Sequence, residues 1–407
     1  MIEQAMQLIG RGTDEIVNDS ELRQKLLRAK EQGRPLIVKE GVDPTAPEIH
    51  FGHTVTFRKL RHFQDLGHDV KFLIGDFTAR IGDPTGRSNS RQALTEAEVL
   101  ENAKTYRAQV SKILDPNRTE FVQNSSWLKP MELEDFVSLL YRGTINDLIK
   151  RTSVATRLAN GETVTAVEMI YPFLQGFDSV ELEADVEIGG TDQRYNFLFA
   201  RDLQRSYGQE PQVCITMPLL IGTDGIQKMS KSLGNHIGVD ENPNDMYGKV
   251  MSIPDSLMFN WFELLTDLPM PELVALEGRV LRNEYHPKEA KMQLARSIVE
   301  QFHSLDQALD AEKEFQRVYR DQQAPTVIPE LKVSSEYITP QGTSLIDLVM
   351  QAGYADSRSA ARRKIQQGGV RINDTKITDF NHYVEPEDGQ VLRVGRRNFA
   401  RLTYESD

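Results

Sequence analysis

The feature that most constrains the fold is a repeated order of strand, glycine-rich loop and helix near the start of the chain. An apolar run at residues 35–38 leads into the loop at 41–47, and apolar positions then recur at helical spacing from Val55 to Leu66. A second apolar run, at residues 70–74, leads into another glycine-rich loop. Strands that alternate with helices indicate βαβ units and a parallel sheet, with ligands at the carboxyl ends of the strands.

Two histidines, His50 and His53, stand in the sequence HFGH where the first loop passes into its helix. The first turn of a helix favours anions, because free backbone N–H groups and the helix dipole both point there. Gly52 allows a flat group to approach the backbone closely. Surface decoration of the helix is the alternative. Metal binding is not favoured, because no third histidine, cysteine or clustered carboxylate accompanies the pair.

The second loop, at residues 75–87, is rich in glycine but has neither the GxxxxGK[ST] spacing of a P-loop nor a GxGxxG fingerprint. Arg87 and Arg91 follow at a four-residue spacing. On a helix the two arginines would share a face and could clamp a polyphosphate, and ordinary surface arginines are the alternative.

Further along, QKMSKSLGN at residues 227–235 places Lys228 and Lys231 three residues apart, among serines and between glycines. Lysine side chains are compact charges suited to phosphate, and flanking glycines permit a loop that moves over a ligand. Taken alone, such a polar stretch is typical of a solvated surface loop.

The middle of the chain carries a polar stripe on a predicted helix. Tyr171, Gln175 and Asp178 stand at positions i, i+4 and i+7, so one face presents a phenol, an amide and a carboxylate. A stripe that faces a core would be apolar, so this one requires solvent or a ligand. Residues 188–193, IGGTDQ, then indicate a strand that ends in a glycine turn at the same edge of the sheet.

HFGH followed by KMSKS resembles the signature pair of the class I aminoacyl-tRNA synthetases. Together with GVDPTA, GDP, the polar stripe and GGTDQ, these motifs make the chain resemble the bacterial tyrosyl-tRNA synthetases over nearly its whole length. The resemblance implies ATP-dependent activation of tyrosine, release of pyrophosphate and transfer of the tyrosyl group to the 3′-terminal ribose of tRNA. Such transfers depend on positioning and charge stabilisation, so no covalent enzyme intermediate is expected.

The resemblance also implies a role for each motif residue. Asp178 would accept a hydrogen bond from the substrate phenol, and Gln193 would hold the substrate carboxylate. The ammonium group would be held by Asp83, Tyr171 and Gln175. The implied ATP contacts are Asp43, Thr45, His50, Gly52, His53, Gly190, Asp192, Lys228 and Lys231. The implied catalytic residues are His50, His53, Arg87, Arg91, Lys228 and Lys231.

One position departs from the pattern of many family members, in which a tyrosine before the GxDPTA loop also contacts the phenol. Lys39 stands there, as in a second bacterial subgroup. We hypothesise that Lys39, or a water it holds, replaces that tyrosine in the tyrosine site, or that Lys39 pairs with Asp178 or another acid.

Length and composition agree with two or three globular domains. The chain has 407 residues, of which 39% are hydrophobic and 27% charged, and its one cysteine, Cys214, excludes an internal disulfide. We expect a cytoplasmic protein with no membrane association, because the sequence shows neither a signal peptide nor a membrane-spanning run. The net charge of −12 argues against a simple nucleic-acid binder, although residues 341–407 carry ten Lys and Arg against nine Asp and Glu.

We predict an α/β fold in which a Rossmann-like parallel-sheet catalytic domain precedes an α-helical domain and a small α+β RNA-binding domain. The catalytic domain would span 1–240 and begin with a helix over 1–33. The helical domain, which faces the anticodon arm in the family, would span 241–322, with a linker at 323–342. Its helices are expected at 246–252, 256–265, 270–282 and 287–319.

The predicted module at 343–407 resembles the small RNA-binding fold of ribosomal small-subunit protein four, often found at the tail of bacterial tyrosyl-tRNA synthetases. A helix capped by Ser357 and two strands around an Asn-Asp turn are expected there. A charged, solvated helix is the alternative. The expected RNA contacts are Arg358, Arg362, Arg363, Lys364 and Arg371.

Two other functions remain open at this point. A class I ligase for tryptophan would share HFGH and KMSKS, but the polar stripe and the tail argue against it. An RNA-binding regulator without catalysis is disfavoured because both motifs are intact. The implied partners are tRNA, L-tyrosine, ATP and a second copy in a homodimer. Mg²⁺ is expected to be carried with ATP, because the polyphosphate needs charge neutralisation.

Overall fold

A computed structural model describes residues 2–83, 94–319, 326, 328–395 and 398–404. The chain divides into two compact units, Met1–Ala308 and Leu309–Asp407. No helix in the described ranges is both long and apolar enough to cross a membrane.

The first unit is built around a six-stranded sheet. Its strands are β1 (Glu15–Val17), β2 (Ile37–Val42), β3 (Asp69–Ile74), β4 (Thr119–Gln123), β5 (Val186–Gly190) and β6 (Val213–Met217). They lie in the order β1-β6-β5-β2-β3-β4, and only β1 is antiparallel to its neighbour. The chain runs outward from β2 to β4 and returns on the other side of β2 with β5. The strand order therefore reverses between β2 and β5, where open α/β sheets bind ligands. The predicted fold class is confirmed.

Eleven helices surround this sheet in the described part of the chain before residue 240. They are α1 (Ile2–Gly10), α2 (Asp19–Gln32), α3 (Phe51–Asp65), α4 (Glu96–Ala103), α5 (Tyr106–Val110), α6 (Ser125–Leu128), α7 (Leu133–Leu140), α8 (Ile145–Ile149), α9 (Thr152–Ala159), α10 (Ala166–Glu181) and α11 (Arg194–Ser206). The single helix predicted over residues 1–33 was wrong. Gly12 has a left-handed φ of 60°, which ends the first helical segment, and Asn18 starts the next by accepting a hydrogen bond from the Glu21 N–H.

The helical segment that follows contains α12 (Pro243–Ser252), α13 (Met258–Leu265), α14 (Met270–Leu281), α15 (Pro287–Phe302) and α16 (Leu305–Tyr319). The one helix predicted over 287–319 is two helices, because the backbone leaves the helical region at His303 (φ −129°, ψ −104°). Phe51 of α3 stacks on Phe302 at 5.2 Å and meets Trp261 edge-on at 6.2 Å. The helix that carries HFGH therefore shares its core with the helical segment.

Beyond α16, the described residues of the second unit form two short α-helices and two small sheets. The elements are β7 (Glu330–Val333), β8 (Ile338–Thr339), β9 (Gly342–Ser344), α17 (Leu345–Gln351), α18 (Arg358–Gln366), β10 (Val370–Ile372), β11 (Thr375–Ile377), β12 (Tyr383–Val384), β13 (Val391–Val394) and β14 (Asn398–Tyr404). The prediction of a linker was wrong for residues 330–339, because β7 pairs in parallel with β14 and buries Val333. The Ser357 cap and the Asn-Asp turn, with positive φ at Asn373 and Asp374, are confirmed.

Candidate active site

A cleft of about 430 Å³ lies at the carboxyl ends of β2 and β5, where the strand order reverses. Two of the predicted site residues, Arg87 and Arg91, lie outside the described residues. A third, Lys231, is not part of the cleft lining. The predicted residues that line the cleft are Lys39, Asp43, Thr45, His50, Gly52, His53, Asp83, Tyr171, Gln175, Asp178, Gly190, Asp192, Gln193 and Lys228.

The two histidines are held by the first turn of α3. His50 is its N-cap, and its Nδ1 accepts a hydrogen bond from the Gly52 N–H at 3.1 Å. His53 Nδ1 lies 3.3 Å from the His50 backbone nitrogen, whose N–H it accepts. A Cβ atom at Gly52 would lie 2.9 Å from His50 Cε1, so a side chain there would displace the ring. Because Nδ1 is the acceptor in both rings, the neutral rings carry their proton on Nε2.

Burial keeps both imidazoles neutral. Burial first, and then the neighbouring His53 and His236, lower the pKa of His50 to about 2. Burial also lowers the pKa of His53 to about 4, although the hydrogen bond with the His50 backbone opposes the shift. The pair therefore offers N–H donors to an anion and contributes no positive charge at neutral pH. Charge at this end of the cleft comes instead from lysine.

Two lysines of the loop at 227–235 stand beside the cleft as exposed cations. Lys228 Nζ lies 4.0 Å from a carboxylate oxygen of Asp192, and Lys231 Nζ lies 2.7 Å from one of Glu48. Each lysine side chain keeps nearly half of its surface exposed, at 48% and 46%. Exposed ion pairs of this kind contribute little to stability, so both lysines can exchange their carboxylate for a phosphate at low cost.

Asn235 holds this loop together, and the sequence motifs did not single it out. Its side-chain oxygen accepts the Ser230 N–H at 2.8 Å, and its amide nitrogen donates to the Lys228 carbonyl at 3.2 Å. Met229 between the lysines is buried. The backbone that carries both lysines is therefore fixed from inside the loop.

The opposite end of the cleft presents a buried carboxylate. Asp178 on α10 is 2% exposed, and its two oxygens accept hydrogen bonds from Trp127 Nε1 at 2.8 Å and Asn124 Nδ2 at 3.2 Å. Burial raises the pKa of Asp178 to about 7, while the Lys39 charge and the two hydrogen bonds oppose that shift. In its ionised form the carboxylate is an acceptor placed to meet a hydroxyl group.

Two aspartates that precede prolines in the sequence do more than form turns. Asp43 accepts hydrogen bonds from the Tyr171 hydroxyl at 2.9 Å and from Thr78 Oγ1 at 2.7 Å. Asp83 accepts one from Gln193 Nε2 at 2.6 Å and pairs with Arg151 at 3.0 Å. Burial and then the Asp43 charge raise the pKa of Tyr171 well above its usual range, so its hydroxyl remains a donor.

Lys39 forms an ion pair with Glu187 at 3.0 Å, and both side chains are 1% exposed. Its Nζ also donates to Ser179 Oγ at 2.7 Å. Of the alternatives for Lys39, the structure therefore shows pairing with an acid other than Asp178. The two partners are direct neighbours on β2 and β5, so the sheet itself brings them together.

Several residues of the site were missed by motif reasoning. Trp127 and Asn124 lie directly after β4, and Thr78 follows β3. Their position after parallel strands was a usable signal, because the carboxyl ends of such strands meet at one edge. Arg151, in contrast, reaches Asp83 from a region without motifs.

The arginines and lysine predicted to contact RNA lie on the surface of the second unit. Arg358 pairs with Asp347, and Lys364 donates to the Tyr354 carbonyl. Arg362 lies over the Phe380 ring at 4.5 Å. Arg371 donates to the Asp374 carbonyl at 3.0 Å. All of these side chains remain accessible to solvent.

Comparison with known proteins places the chain in a family. Residues 30–320 match the model for tRNA synthetases class I (W and Y), and residues 323–401 match the tyrosine–tRNA ligase SYY-like C-terminal domain. A tyrosine–tRNA ligase of Moorella thermoacetica is 48% identical over 401 residues, covering 98% of this chain and 96% of that protein. One of Aquifex aeolicus is 46% identical over 400 residues, covering 98% of each.

Solved structures agree with this assignment. The tyrosyl-tRNA synthetase of Archaeoglobus fulgidus complexed with L-tyrosine matches with a TM-score of 0.62 and 25% identity, covering 77% of this chain and 100% of that one. The chain therefore belongs to the class I tRNA synthetases, and within them to the tyrosine–tRNA ligases.

Proposed function

We infer that this protein attaches L-tyrosine to tRNA in two steps, of which the first consumes ATP. The observation that supports this function best is a single cleft, located where the strand order reverses, whose two ends present different chemical groups. A buried carboxylate for a phenol lies at one end, and histidine N–H donors with exposed lysines lie at the other. Tyrosine and the polyphosphate of ATP match these two ends.

In the first step, a carboxylate oxygen of tyrosine attacks the α-phosphorus of ATP, and pyrophosphate leaves with the electrons of the broken P–O bond. The phenol is placed at Asp178 and the substrate carboxylate at Gln193. Asp83, Tyr171 and Gln175 surround the ammonium group. Burial of this end supports that placement, because a fixed substrate needs no further ordering before it reacts.

ATP occupies the histidine and lysine end of the cleft. Its contacts are assigned to Asp43, Thr45, Gly52, Gly190 and Asp192, with Asp192 at the ribose. The Nε2–H groups of His50 and His53 donate to phosphate oxygens where negative charge builds up. Lys228, Lys231, Arg87 and Arg91 supply positive charge to the departing pyrophosphate, and Mg²⁺ is carried with the ATP polyphosphate. In the described ranges, no group of three or more His, Cys, Asp or Glu is placed to hold a metal ion.

In the second step, the tyrosyl group passes to the 3′-terminal ribose of tRNA. Residues 241–322 are assigned to the anticodon arm, and the module at 343–407 to RNA contact. The exposed cations of α18 support the second assignment. Removal of the part of the second unit beyond residue 322 should spare adenylate formation and weaken tRNA charging, with a salt-sensitive loss. The cut belongs near residue 322, because β7 is part of that unit. Equal charging by the shortened chain would contradict the assignment.

The proposal includes that the protein is a homodimer and acts in the cytoplasm. Large apolar side chains are exposed along one part of the chain, as expected for a surface covered by a second copy. They are Leu133, Val137, Tyr141, Ile145, Ile149, Leu158 and Val167. Light scattering should give twice the chain mass for the natural protein and the single mass for Tyr141→Asp with Ile145→Asp.

One assay tests the reaction: amino-acid-dependent exchange of labelled pyrophosphate into ATP, run separately with each amino acid. Tyrosine alone should support exchange. Exchange with tryptophan would indicate the other specificity of this group of synthetases, and no exchange with any amino acid would indicate an RNA-binding protein without catalysis.

A further inference from the structure

Gln175 holds its side-chain amide in one defined orientation at the wall of the cleft. Its Nε2 donates to Glu187 Oε1 at 3.2 Å. Its Oε1 is buried and has no hydrogen-bond partner among the residues that the structure describes. A buried acceptor without a partner costs about 1–3 kcal/mol. An acceptor kept in this state at the wall of a substrate cleft is suited to a donor carried by the substrate.

Glu187 decides which end of the Gln175 amide points away from the ion pair. Its Oε1 receives Lys39 Nζ and Gln175 Nε2, and its Oε2 receives Ser179 Oγ at 3.1 Å and Gln212 Nε2. Every one of these partners can donate. A carboxylate has no proton to give, so Gln175 can bond to it only through its NH₂ group. The carbonyl oxygen must then point the other way.

Lys39 holds this carboxylate in place. A lone carboxylate at 1% exposure would be strongly disfavoured, and the ion pair with Lys39 compensates its burial. Lys39 Nζ also lies 3.3 Å from the Gln175 backbone carbonyl, so it ties the same residue from a second side. A buried ion pair is weak evidence for stability, but its fixed geometry is well suited to orienting a neighbouring group.

We propose that the Lys39–Glu187 pair is a positioning device that turns the Gln175 carbonyl oxygen toward the ammonium group of the amino acid. The inference rests on the proposed placement of that ammonium group at Gln175. With the amide reversed, its N–H groups would face the ammonium N–H groups, and donor would oppose donor. Neither Lys39 nor Glu187 touches the ammonium group in this arrangement. Glu187 selects for a charged amine through Gln175.

The test compares three ligands on the same protein samples: L-tyrosine, tyramine and 3-(4-hydroxyphenyl)propanoate. The first two carry the ammonium group, and the third lacks it. In Glu187→Gln the neighbour of Gln175 can donate or accept, so the amide is free to reverse. The dissociation constants of tyrosine and tyramine should rise about tenfold or more, because a hydrogen bond to a charged group is lost. That of the propanoate should stay within about twofold.

Three further variants separate the possible causes. Lys39→Gln combined with Glu187→Gln removes both buried charges, so no unpaired lysine remains to weaken the fold. This double variant should show the same ammonium-specific loss as Glu187→Gln. Ser179→Ala removes a hydroxyl that contacts both Lys39 and Glu187 but leaves both charges and the Gln175–Glu187 hydrogen bond in place, and should leave the ligand ratios within about twofold. Gln175→Ala tests the placement itself, and should raise the dissociation constants of tyrosine and tyramine about tenfold or more while that of the propanoate stays within about twofold.

Each outcome decides a separate point. Equal weakening of all three ligands in Glu187→Gln, or weakening of none, would overturn the positioning role. If Gln175→Ala leaves tyrosine and tyramine unaffected, the ammonium group is not at Gln175, and the placement in the proposed function fails. Loss in Gln175→Ala without loss in Glu187→Gln would keep the placement and reject the device.

Discussion

The two ends of the cleft use charge in opposite ways. At the end proposed for the phenol, Asp178, Lys39 and Glu187 are almost fully buried, and each has several hydrogen-bond or ion-pair partners inside the protein. At the end proposed for the phosphates, Lys228 and Lys231 are nearly half exposed, and each pairs with one carboxylate. The two histidines are partly buried and neutral.

This difference agrees with the roles proposed for the two ends. Recognition of a small substrate requires groups that are already oriented, because reorientation at the moment of binding would reduce selectivity. Stabilisation of a leaving polyphosphate requires charge that can follow the phosphates. A buried charge is held in one position by its partners, whereas an exposed lysine can change partner.

The largest effect is expected for the exposed lysines. Lys228→Ala and Lys231→Ala should each slow tyrosyl-adenylate formation by about 10²–10³-fold, because charge is lost where it builds up in the transition state. Tyrosine affinity should change by less than about twofold. Single-turnover kinetics and equilibrium binding separate the two quantities. Lys249→Ala, which removes a similarly exposed lysine paired with Glu241, is the control. A large loss of tyrosine affinity with an unchanged activation rate would place the loop elsewhere.

The next effect concerns the buried carboxylate. Asp178→Asn should raise the KM for tyrosine about tenfold to a hundredfold, because a hydrogen bond to a charged acceptor becomes a bond to a neutral amide. The preference for tyrosine over phenylalanine should fall with it, because phenylalanine makes no such bond. Competitive pyrophosphate exchange measures both. A KM that rises equally for both amino acids would show general damage to the pocket.

The pH profile sharpens the contrast between the two ends. Because burial raises the pKa of Asp178 to about 7, its carboxylate is present above that pH and lost below it. The kcat/KM for tyrosine in the exchange reaction should fall about tenfold between roughly pH 8 and pH 6. The two histidines stay neutral over this range, since their pKa values lie at about 2 and 4. A profile of the same shape in Asp178→Asn would assign the titration to another group.

The smallest effect is expected for Glu40, a buried acid on β2. Thr56 Oγ1 lies 2.8 Å from the His53 carbonyl and 2.5 Å from Glu40 Oε1. If its single proton goes to the carbonyl, Glu40 must be protonated and donate to Thr56. Burial raises the pKa of Glu40 to about 8, in agreement with this arrangement.

A stability measurement tests that assignment. The folded-state pKa of Glu40 lies above its unfolded value, so the folded protein binds more protons between the two, and stability falls as pH rises through this window to about 8. Glu40→Gln should match the natural protein near pH 5 and exceed its Tm by about 2–4 °C near pH 9. Glu31→Gln, at an exposed glutamate of α2, is the control. An equal Tm difference at both pH values would rule out titration of Glu40.

Much of the fold was predictable from local sequence patterns. The parallel sheet, the Ser357 cap and the Asn-Asp turn were predictable because strand alternation, capping residues and turn residues act over short sequence distances. The breaks at Gly12 and His303 were not, because helical periodicity continues across them. The strand β7 was missed because its pairing partner β14 lies far along the chain, and no local signal reports such a pairing.

The sequence by itself determined which chemical groups enter the cleft, because HFGH, KMSKS and the polar stripe fix residue types at fixed spacing on strands and helices. Only the tertiary structure decided how those groups are charged and aimed. The pairing of Lys39 with Glu187, the donors on Asp178 and the neutral state of the histidines all arise from contacts between distant segments. Protonation and hydrogen-bond direction depend on burial and on neighbours, and the chain sets both only when it folds.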